Sequence, residues 1–271
     1  MSSNFCNPKD KIKIFNTAVD DVSEEESRRI LSDFIDEGGF HWVFTPNTEI
    51  VMALKDDAEK ARIMNGADLV VPDGIGLVIG SKMGGHPLKE RVTGYDLSLY
   101  LLELAKEKDE KIFFLGGEPG IAKEAKRRVE EKYGPVVAGE HHGYFKGAHR
   151  GFENSEEEAA VIRAINESGA SILFVGLGFP KQEDFILNNK DKLEHITLAI
   201  GNGGVLDVLA GKAKRAPEVF IRLHLEWFYR LLKNPSRIGR QVAIPKFLWT
   251  IARNKKAVTV VKENRGGSHE S

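Results

Sequence analysis

Three apolar runs of the chain end in polar or glycine-rich turns that could carry chemistry. Asp73 stands in the stretch Val-Pro-Asp-Gly, where its carboxylate could act as a general base or hold a sugar hydroxyl. Thr45 and Asn47 stand in Thr-Pro-Asn and could bind a sugar or activate a hydroxyl, and the third run ends in the stretch 176–182. In an open α/β sheet, ligands bind at the carboxyl ends of the strands. If the three runs are parallel strands, these turns face one cleft.

Helix capping is the structural alternative for each of these polar residues. A helix is predicted to start at Gly74, which would make Asp73 its N-cap. A carboxylate at that place is stabilised as the anion. Spacing alone leaves base and cap open for Asp73, and it favours capping for Thr45 and Asn47.

Two glycine turns, Gly116-Gly117 and Gly176 to Gly178, could let backbone amides approach a phosphate. Strand-to-helix turns also need glycine for steric reasons alone. The sequence has no G-x-G-x-x-G after a strand, no G-x-x-x-x-G-K-[ST] and no Asp-x-Asp. These gaps argue against a dinucleotide oxidoreductase, a P-loop NTPase and a metal-bound nucleotide diphosphate.

Metal ligands are sparse, so we predict neither a metal nor a cofactor. The adjacent His141 and His142 would point to opposite faces of a strand. A nucleotide-sugar enzyme without a metal needs another cation for the leaving diphosphate, and arginine binds phosphate oxygens in pairs. Candidate cations lie near the C-terminus: Lys214, Arg215, Arg222, Arg230, Arg237 and Arg240.

The C-terminal region is strongly basic although the whole chain carries a net charge of −1. Residues 212–256 hold twelve Lys/Arg and two acids, a net charge of +10, against 27 basic and 38 acidic residues elsewhere, a net charge of −11. The alternative of a solvated helix face conflicts with the interleaved Trp, Phe and Leu residues. Such an apolar stripe beside cations is typical of helices at a membrane surface. We therefore expect an anionic membrane partner and no nucleic acid.

Composition indicates a globular protein with a sizeable core. Of 271 residues, 41% are hydrophobic and 29% are charged. The lone cysteine, Cys6, cannot form an internal disulfide, so a reducing compartment is expected. No run approaches the ~18 apolar residues that cross a bilayer, and the N-terminus lacks a signal-peptide core. The predicted location is cytoplasmic.

Short apolar runs alternate with amphipathic stretches along the body of the chain. This alternation predicts an α/β fold, Rossmann-like, with a mostly parallel sheet and helices on both faces. The predicted strands are Lys11–Phe15, Phe40–Phe44, Asp68–Val71, Lys111–Leu115, Pro135–Ala138, Ser171–Val175 and His195–Ile200. The predicted helices are Ser23 to about Asp36, opened by a capping box with Glu26, then Thr48–Asn65, Ile75–Met83, Tyr95–Lys108, Gly120–Tyr133, Ser155–Ser168, Lys181–Asn189 and Val205–Ala210.

The C-terminal third shows no strand pattern and is predicted to be a helical appendage. Two helices, about Glu218–Lys233 and Ser236–Asn254, are expected to meet at the helix break Asn234-Pro235. The predicted divisions are a catalytic α/β domain over 1–211, a basic appendage over 212–258, and a disordered tail over 259–271.

Several stretches together resemble the WecG/TagA/CpsF glycosyltransferases. They are Thr45-Pro46-Asn47, Ala67 to Gly74, Glu90 to Asp96, Phe114 to Gly117, Gly176 to Glu183, and the C-terminal run from Arg215-Ala216-Pro217 through Leu225 to Leu231 to Arg240. The resemblance covers residues 11–245. Two positions depart from the family pattern: Glu218 follows Ala216-Pro217, and Asn202 stands in the glycine run where a small apolar residue is common.

The resemblance implies a metal-independent, inverting transfer from a UDP-sugar to lipid-linked N-acetylglucosamine. It implies UDP-N-acetylmannosamine as donor, as in the linkage unit of teichoic acids, and undecaprenyl diphosphate as the lipid carrier. It also implies Asp73 as the base. The remaining implied site residues are Thr45, Asn47, Arg91 and Gln182, with the arginines Arg230, Arg237 and Arg240 closing the site from the appendage.

Location and partners follow from the same resemblance. It implies a protein peripheral on the inner face of a bacterial plasma membrane, and the apolar appendage could also be covered in a homodimer. One alternative is the same fold acting on UDP-N-acetylmannosaminuronic acid or another UDP-sugar. The alternative from another class is a non-catalytic nucleotide-binding protein that docks on a membrane.

Overall fold

A six-stranded parallel sheet lies at the centre of the molecule, which confirms the predicted fold class. The computed structural model of the chain describes residues 10–213, 216–217, 219–220, 229 and 243–262. Every pair of neighbouring strands in this sheet is parallel. In spatial order the strands are β4 (Leu69–Val70), β3 (His41–Phe44), β8 (Leu198–Gly201), β7 (Ile172–Gly176), β5 (Ile112–Gly116) and β6 (Val137–His141).

Helices cover both faces of this sheet. Side chains alternate between the two faces along each strand, so a strand that is apolar throughout has buried side chains on both faces. In β5, Phe113 and Leu115 pack on one face, and Ile112 and Phe114 pack on the other. The face of Ile112 carries α1 (Glu24–Glu37), α5 (Gly94–Lys108), α6 (Ile121–Tyr133) and α9 (Val205–Leu209). The face of Phe113 carries α2 (Thr48–Leu54), α3 (Ala58–Asn65), α4 (Ile75–Met83), α7 (Glu156–Glu167), α8 (Lys181–Asn189) and α10 (Ala243–Arg253). Short 3-10 helices span Ala148–Arg150, Lys190–Lys192 and Lys255–Ala257.

The start of α1 confirms the predicted capping box. The Ser23 hydroxyl accepts a hydrogen bond from the Glu26 N–H at 3.1 Å, and the Ser23 N–H donates to the Glu26 carboxylate at 2.7 Å. These reciprocal bonds satisfy two N–H groups that the helix itself leaves without partners.

The single helix predicted over Thr48–Asn65 is wrong, because the chain breaks it into α2 and α3. The carboxylate of Asp57 accepts a hydrogen bond from the Lys60 N–H at 3.0 Å and so caps a new helix. Aspartate favours this N-cap position over a helix interior, since its short side chain competes for nearby backbone groups.

A second, antiparallel sheet of three strands packs beside the main one. The first predicted strand lies here as β1 (Asp10–Ile14), between β2 (Thr17–Asp20) and β9 (Val258–Lys262). The prediction of a disordered tail from residue 259 is wrong for residues 259–262, and residues 263–271 lie outside the described part of the chain. The β-branched run in β9 becomes a strand by pairing with β1, a partner almost the whole chain away.

The last helix packs onto the body of the protein. Phe247 and Ile251 of α10 are fully buried, and a Cβ added at Gly80 of α4 would lie 2.3 Å from the Phe247 ring. Trp249 on the same helix is 60% exposed. The described part of the predicted helix Ser236–Asn254 begins at Ala243, and most of the predicted helix Glu218–Lys233 lies outside the described residues.

Candidate active site

The predicted site turns emerge at one edge of the main sheet. Strands β3 and β4 are neighbours in register, with Phe44 opposite Val70, and both lead directly into the polar turns that hold Thr45 and Asp73. The glycine turn that starts at Gly176 follows β7 on the same edge, because all six strands run in one direction. The geometry therefore places these turns along one edge of the sheet, the candidate cleft, where open parallel sheets bind their ligands.

The Asp73 carboxylate contacts a helix other than the one that follows it. The N-cap of α4 is Gly74, which has no side chain, so the prediction that Asp73 is this N-cap is wrong. Instead, Asp73 Oδ2 accepts a hydrogen bond at 3.2 Å from the N–H of Gly94, the first residue of α5. The Asp73 N–H donates to the Pro46 carbonyl at 3.0 Å. The half-buried carboxylate thus lies at a helix N-terminus, which favours its anionic form.

Gly94 also brings Thr45 into this cluster. A Cβ added at Gly94 would lie 2.9 Å from the Thr45 hydroxyl oxygen, so only glycine fits against this side chain. The Thr45 hydroxyl donates to the carbonyl of Gly201, at the end of β8, at 3.2 Å. Thr45 therefore ties the turn after β3 to the turn after β8.

Asn47 caps α2, as the spacing of the motif favours. Its Oδ1 accepts a hydrogen bond from the Ile50 N–H at 3.1 Å. The residue is exposed, and a Cβ added at Gly74 would lie 3.7 Å from the Asn47 Cβ. The capping role and a place beside the Asp73 turn therefore coexist in one side chain.

Arg91 lies half-buried in the segment that leads into α5. The next residue, Val92, donates its N–H to the Pro72 carbonyl at 3.1 Å. This bond and the bond from Gly94 to Asp73 place the segment 91–94 alongside the Pro-Asp-Gly turn. The resemblance, and no spacing rule, is what identified Arg91 as a site residue.

The glycines at the other end of the cleft allow two backbones to approach closely. Gly116 has a φ of +147°, and a Cβ there would lie 2.4 Å from the Gly176 carbonyl oxygen. Gly117, with a φ of +70°, donates its N–H to the same oxygen at 3.3 Å. A Cβ at Gly176 would in turn lie 2.8 Å from the Gly203 carbonyl oxygen. The steric explanation for these glycines is therefore confirmed at Gly116 and Gly176.

Gly178 differs from these three glycines. Its φ is +77°, and a Cβ added there would meet no atom within 4 Å. Three strands, β3, β8 and β7, separate β4 from β5, so the Asp73 end and the Gly116 end lie about 19 Å apart along the sheet at ~4.8 Å per strand. This length suits an extended ligand with two chemically different ends.

The structure does not describe the residues that were predicted to supply cations. Arg230, Arg237 and Arg240, as well as Lys214, Arg215 and Arg222, lie outside the described residues. Within the described ranges, no group of three or more His, Cys, Asp and Glu side chains could hold a metal ion.

The sequence matches a known protein family over most of its length. Residues 12–259 match the glycosyl transferase WecG/TagA/CpsF family, from the third residue of β1 into β9. The chain belongs to this family.

Individual glycosyltransferases similar to the chain share one name. A Bacillus spizizenii protein is 36% identical over 228 residues, 83% of each chain. A Bacillus subtilis protein is 33% identical over 83% of this chain and 88% of its own length, and a Staphylococcus aureus protein is 34% identical over 82% and 83%. Each is named N-acetylglucosaminyldiphosphoundecaprenol N-acetyl-beta-D-mannosaminyltransferase.

In this member of the WecG/TagA/CpsF family, the side chain of Gln182 is buried beneath the cleft. Its Oε1 accepts a hydrogen bond from the Gly203 N–H at 3.0 Å, and its Nε2 donates to Glu183 Oε1 at 3.0 Å. A Cβ at Gly201 would lie 2.9 Å from Gln182 Nε2. The amide thus joins the turn after β7 to the glycine turn after β8.

Glu183 was not predicted as a functional residue of this glycosyltransferase, although it stands beside one. It is 3% exposed, and burial raises the pKa of its carboxyl from 4.5 to about 7. Its Oε2 has no hydrogen-bond partner among the described residues. The Gly-Phe-Pro-Lys-Gln-Glu stretch indicates a turn at this position. No spacing rule indicates that the Glu183 carboxyl is buried.

Across the described part of this family member, no helix is both long and apolar enough to cross a bilayer. The predictions of a peripheral membrane location, a homodimer and a division of the chain at residue 212 remain predictions.

Proposed function

We propose that this chain transfers N-acetylmannosamine from UDP-N-acetylmannosamine to N-acetylglucosaminyl-diphosphoundecaprenol. The transfer inverts the anomeric carbon and uses no metal ion. One observation carries the proposal. The Asp73 carboxylate lies at the carboxyl end of β4 and accepts a hydrogen bond from α5, and it is not the N-cap of α4, the helix that follows it. The relatives named for this transfer, which align over more than four fifths of the chain, support the choice of substrates.

The proposed reaction is a single displacement. The acceptor sugar's hydroxyl oxygen forms a bond to the donor's anomeric carbon while its proton moves to Asp73. The bond from that carbon to the UDP oxygen breaks, and UDP leaves with the electron pair. Attack from the face opposite UDP inverts the carbon. General-base assistance of this kind contributes typically about 10²–10⁴-fold in rate.

The glycine end of the cleft is our proposed site for the UDP portion of the donor. Gly116, Gly117, Gly176 and Gly178 leave the backbone without side chains there, and the nucleoside and α-phosphate of UDP can then approach backbone N–H groups. UDP bound there would extend along the sheet toward Asp73, because the anomeric carbon is bonded to an oxygen of the β-phosphate and must lie beside the acceptor hydroxyl that Asp73 deprotonates.

Further polar and cationic side chains complete the proposal. Thr45, Asn47 and Arg91 flank Asp73 and would hold the sugars or the diphosphate. Charge on the departing UDP would be neutralised by Arg230, Arg237 and Arg240, since guanidinium groups bind phosphate oxygens in pairs. Gln182 would act from below the cleft by fixing the turn at Gly203.

We further propose that residues 212–258 dock on an anionic membrane, where the lipid-linked acceptor resides. The net charge of +10 over residues 212–256 and the 60% exposed Trp249 support this surface. The enzyme would then work in the cytoplasm, peripheral on the inner face of the plasma membrane. Its arginines would reach the site only beside the acceptor, which limits wasteful donor hydrolysis.

A donor screen on the full chain tests the proposed reaction. UDP release is measured with UDP-N-acetylmannosamine, its uronic acid and UDP-N-acetylglucosamine, each with and without a short-chain lipid-diphosphate N-acetylglucosamine, and with and without EDTA. We expect acceptor-dependent release from the first donor, unchanged by EDTA, and a product of inverted anomeric configuration by NMR. Release from another donor alone would reassign the substrate, and no acceptor-dependent release from any would favour the non-catalytic alternative.

Flotation with vesicles tests the membrane surface separately. We expect the full chain to float with vesicles that contain anionic lipid and to stay behind with neutral ones. Retention of duplex DNA in a gel-shift assay, without flotation, would contradict the proposed surface.

A further inference from the structure

Two buried polar side chains, Asn202 and Ser98, connect the turn after β8 to the first turn of α5. Asn202 is 5% exposed, and its Nδ2 donates a hydrogen bond to the Ser98 hydroxyl at 3.1 Å. Ser98 is fully buried, and its hydroxyl donates to the Gly94 carbonyl at 2.6 Å. These two hydrogen bonds join segments 104 residues apart in the chain.

The series of hydrogen bonds continues through Gly94 to the proposed base. The carbonyl of Gly94 accepts from Ser98, and its N–H donates to Asp73 Oδ2 at 3.2 Å. On the side of Thr45 there is no space, since an added Cβ would lie 2.9 Å from the hydroxyl. Gly94 is therefore fixed through its carbonyl, its N–H and its contact with Thr45. Any shift of Gly94 moves the N–H group that donates to Asp73.

Keeping a buried asparagine at position 202 costs stability. Its Oδ1 is buried and accepts no hydrogen bond from the residues that the structure describes. A buried acceptor left without a partner destabilises the fold, and an alanine would avoid that cost. The backbone of Asn202 is already fixed by its N–H, which donates to the Val175 carbonyl at 3.1 Å. The side chain is thus not needed to form the turn, and its hydrogen bond to Ser98 is the contribution that remains.

We propose that Asn202 and Ser98 are positioning residues for the transfer reaction. Acting through Gly94, they fix the first turn of α5 and so the direction in which the Asp73 carboxylate points. This inference rests on the proposed role of Asp73 as base. A base displaced by about 1 Å can lose about 10²-fold in rate while the substrates still bind.

The matched variants are Asn202→Ala and Ser98→Ala, with Asn189→Ala as control. Asn189 is also a fully buried asparagine, and its Nδ2 donates to the Phe185 carbonyl at 3.0 Å and to Glu158 Oε1 at 3.3 Å, away from the Asp73 cluster. All three variants remove a buried polar contact. Only the first two remove one that leads to Asp73.

The experiment measures kcat, KM for the donor and UDP affinity for each variant, at a temperature where circular dichroism shows it folded. We expect kcat to fall at least about 10-fold in Asn202→Ala and Ser98→Ala, with KM and UDP affinity within about 2-fold of wild type. The double variant should lose no more than the worse single one, because the two residues act as one unit. Asn189→Ala should keep kcat within about 2-fold.

A second comparison repeats Asn202→Ala in the Asp73→Asn background. The loss should vanish there, because the carboxylate being positioned is gone. The inference is overturned if Asn202→Ala keeps its kcat, if Asn189→Ala loses as much, or if the loss persists without the Asp73 carboxylate. If Asn202→Ala does not fold, Ser98→Ala decides by the same criteria. Wild-type turnover of the donor tests the proposed function independently of every variant ratio.

Discussion

The two ends of the cleft differ in the groups that form them, side chains at one end and backbone at the other. At the β4 end, side chains from distant segments converge, as Asp73 bonds to the start of α5 and Thr45 bonds to the end of β8. At the β5 end, backbones meet directly, and the carbonyl oxygen of Gly176 lies 2.4 Å from the place that a Cβ of Gly116 would take. Removing atoms should therefore damage the first end, and adding atoms should damage the second. The first end suits catalysis by oriented groups, and the second suits the close approach of a ligand to the backbone.

The largest expected effect is at the β4 end. Asp73→Asn keeps the size of the side chain and removes its capacity to take a proton. We expect kcat to fall by about 10²–10⁴-fold, with UDP affinity unchanged, because UDP is proposed to bind at the opposite end. Steady-state UDP release and isothermal titration with UDP measure the two quantities.

Asp68 provides the matched control for this variant. It precedes β4 where Asp73 follows it, and its carboxylate also accepts a backbone N–H, that of Trp42 at 3.0 Å. Asp68→Asn should leave kcat within about 2-fold of wild type. An Asp73→Asn enzyme that turns over normally would remove Asp73 as the base.

At the β5 end, Gly116→Ala is the next most damaging change. Its Cβ would lie 2.4 Å from the Gly176 carbonyl oxygen, where backbone atoms have no flexible end that can move aside. We expect a loss of about 3 kcal/mol in the free energy of unfolding, from overpacking and from the positive φ. UDP affinity should fall as well. Urea unfolding and UDP titration measure both effects.

Gly178→Ala separates crowding from backbone strain. Its φ of +77° is also unfavourable for alanine, but the added Cβ would meet no atom within 4 Å. We expect a loss of about 1 kcal/mol from strain alone. Equal losses in the two variants would contradict the close backbone approach at Gly116.

Between the two ends, Glu183 makes stability depend on pH. Its pKa is about 7 in the folded protein because of burial, against 4.5 for a solvent-exposed glutamate. The folded state therefore binds the proton more tightly, and the stabilisation present below pH 4.5 is lost as pH rises to about 7. Glu183→Gln cannot ionise, so its stability relative to wild type should increase over this window, by up to about 3 kcal/mol. Urea unfolding at a series of pH values measures the difference.

Glu157 gives a control of opposite sign. The Lys146 N–H hydrogen bond lowers the pKa of its carboxyl below 4.5, so its contribution is lost only as pH falls. Between pH 5 and 8, Glu157→Gln should therefore leave the slope of the free energy of unfolding against pH unchanged. A Glu183→Gln variant with the wild-type slope would mean that this carboxyl does not titrate there.

The smallest expected effect separates the two roles of Asn47. Asn47→Ala removes the cap of α2 and should cost about 1 kcal/mol of stability, whereas Asn47→Ser keeps a capping oxygen. If Asn47 also holds a sugar, kcat/KM should fall about 10-fold in both variants, the value of one hydrogen bond. Full activity in Asn47→Ser would leave Asn47 as a cap alone.

Much of the sheet could be predicted because its information is local. Strands such as β5 and β8 are buried on both faces, so each is a continuous apolar run that needs no knowledge of its neighbours. The split between α2 and α3 escaped prediction, because Asp57 fits a helix surface as well as an N-cap until the packing of α3 is known.

Strand β9 shows the limit of local patterns. Residues 259–262 belong to the tail predicted to be disordered, and pairing with β1 makes them part of a strand. The backbone hydrogen bonds of a strand come from a partner, so a short segment cannot specify them alone.

The sequence by itself determined the α/β class, the strand-end turns and, through family resemblance, Asp73 as the favoured base. Parallel strands place their carboxyl ends on one edge, so these turns had to share a cleft. Only the tertiary structure decided that Asp73 bonds to Gly94 and not to its own helix, and that Asn202 reaches Ser98. Periodicity specifies which face of an element is buried, whereas the meeting of polar groups from separate segments depends on how those elements pack.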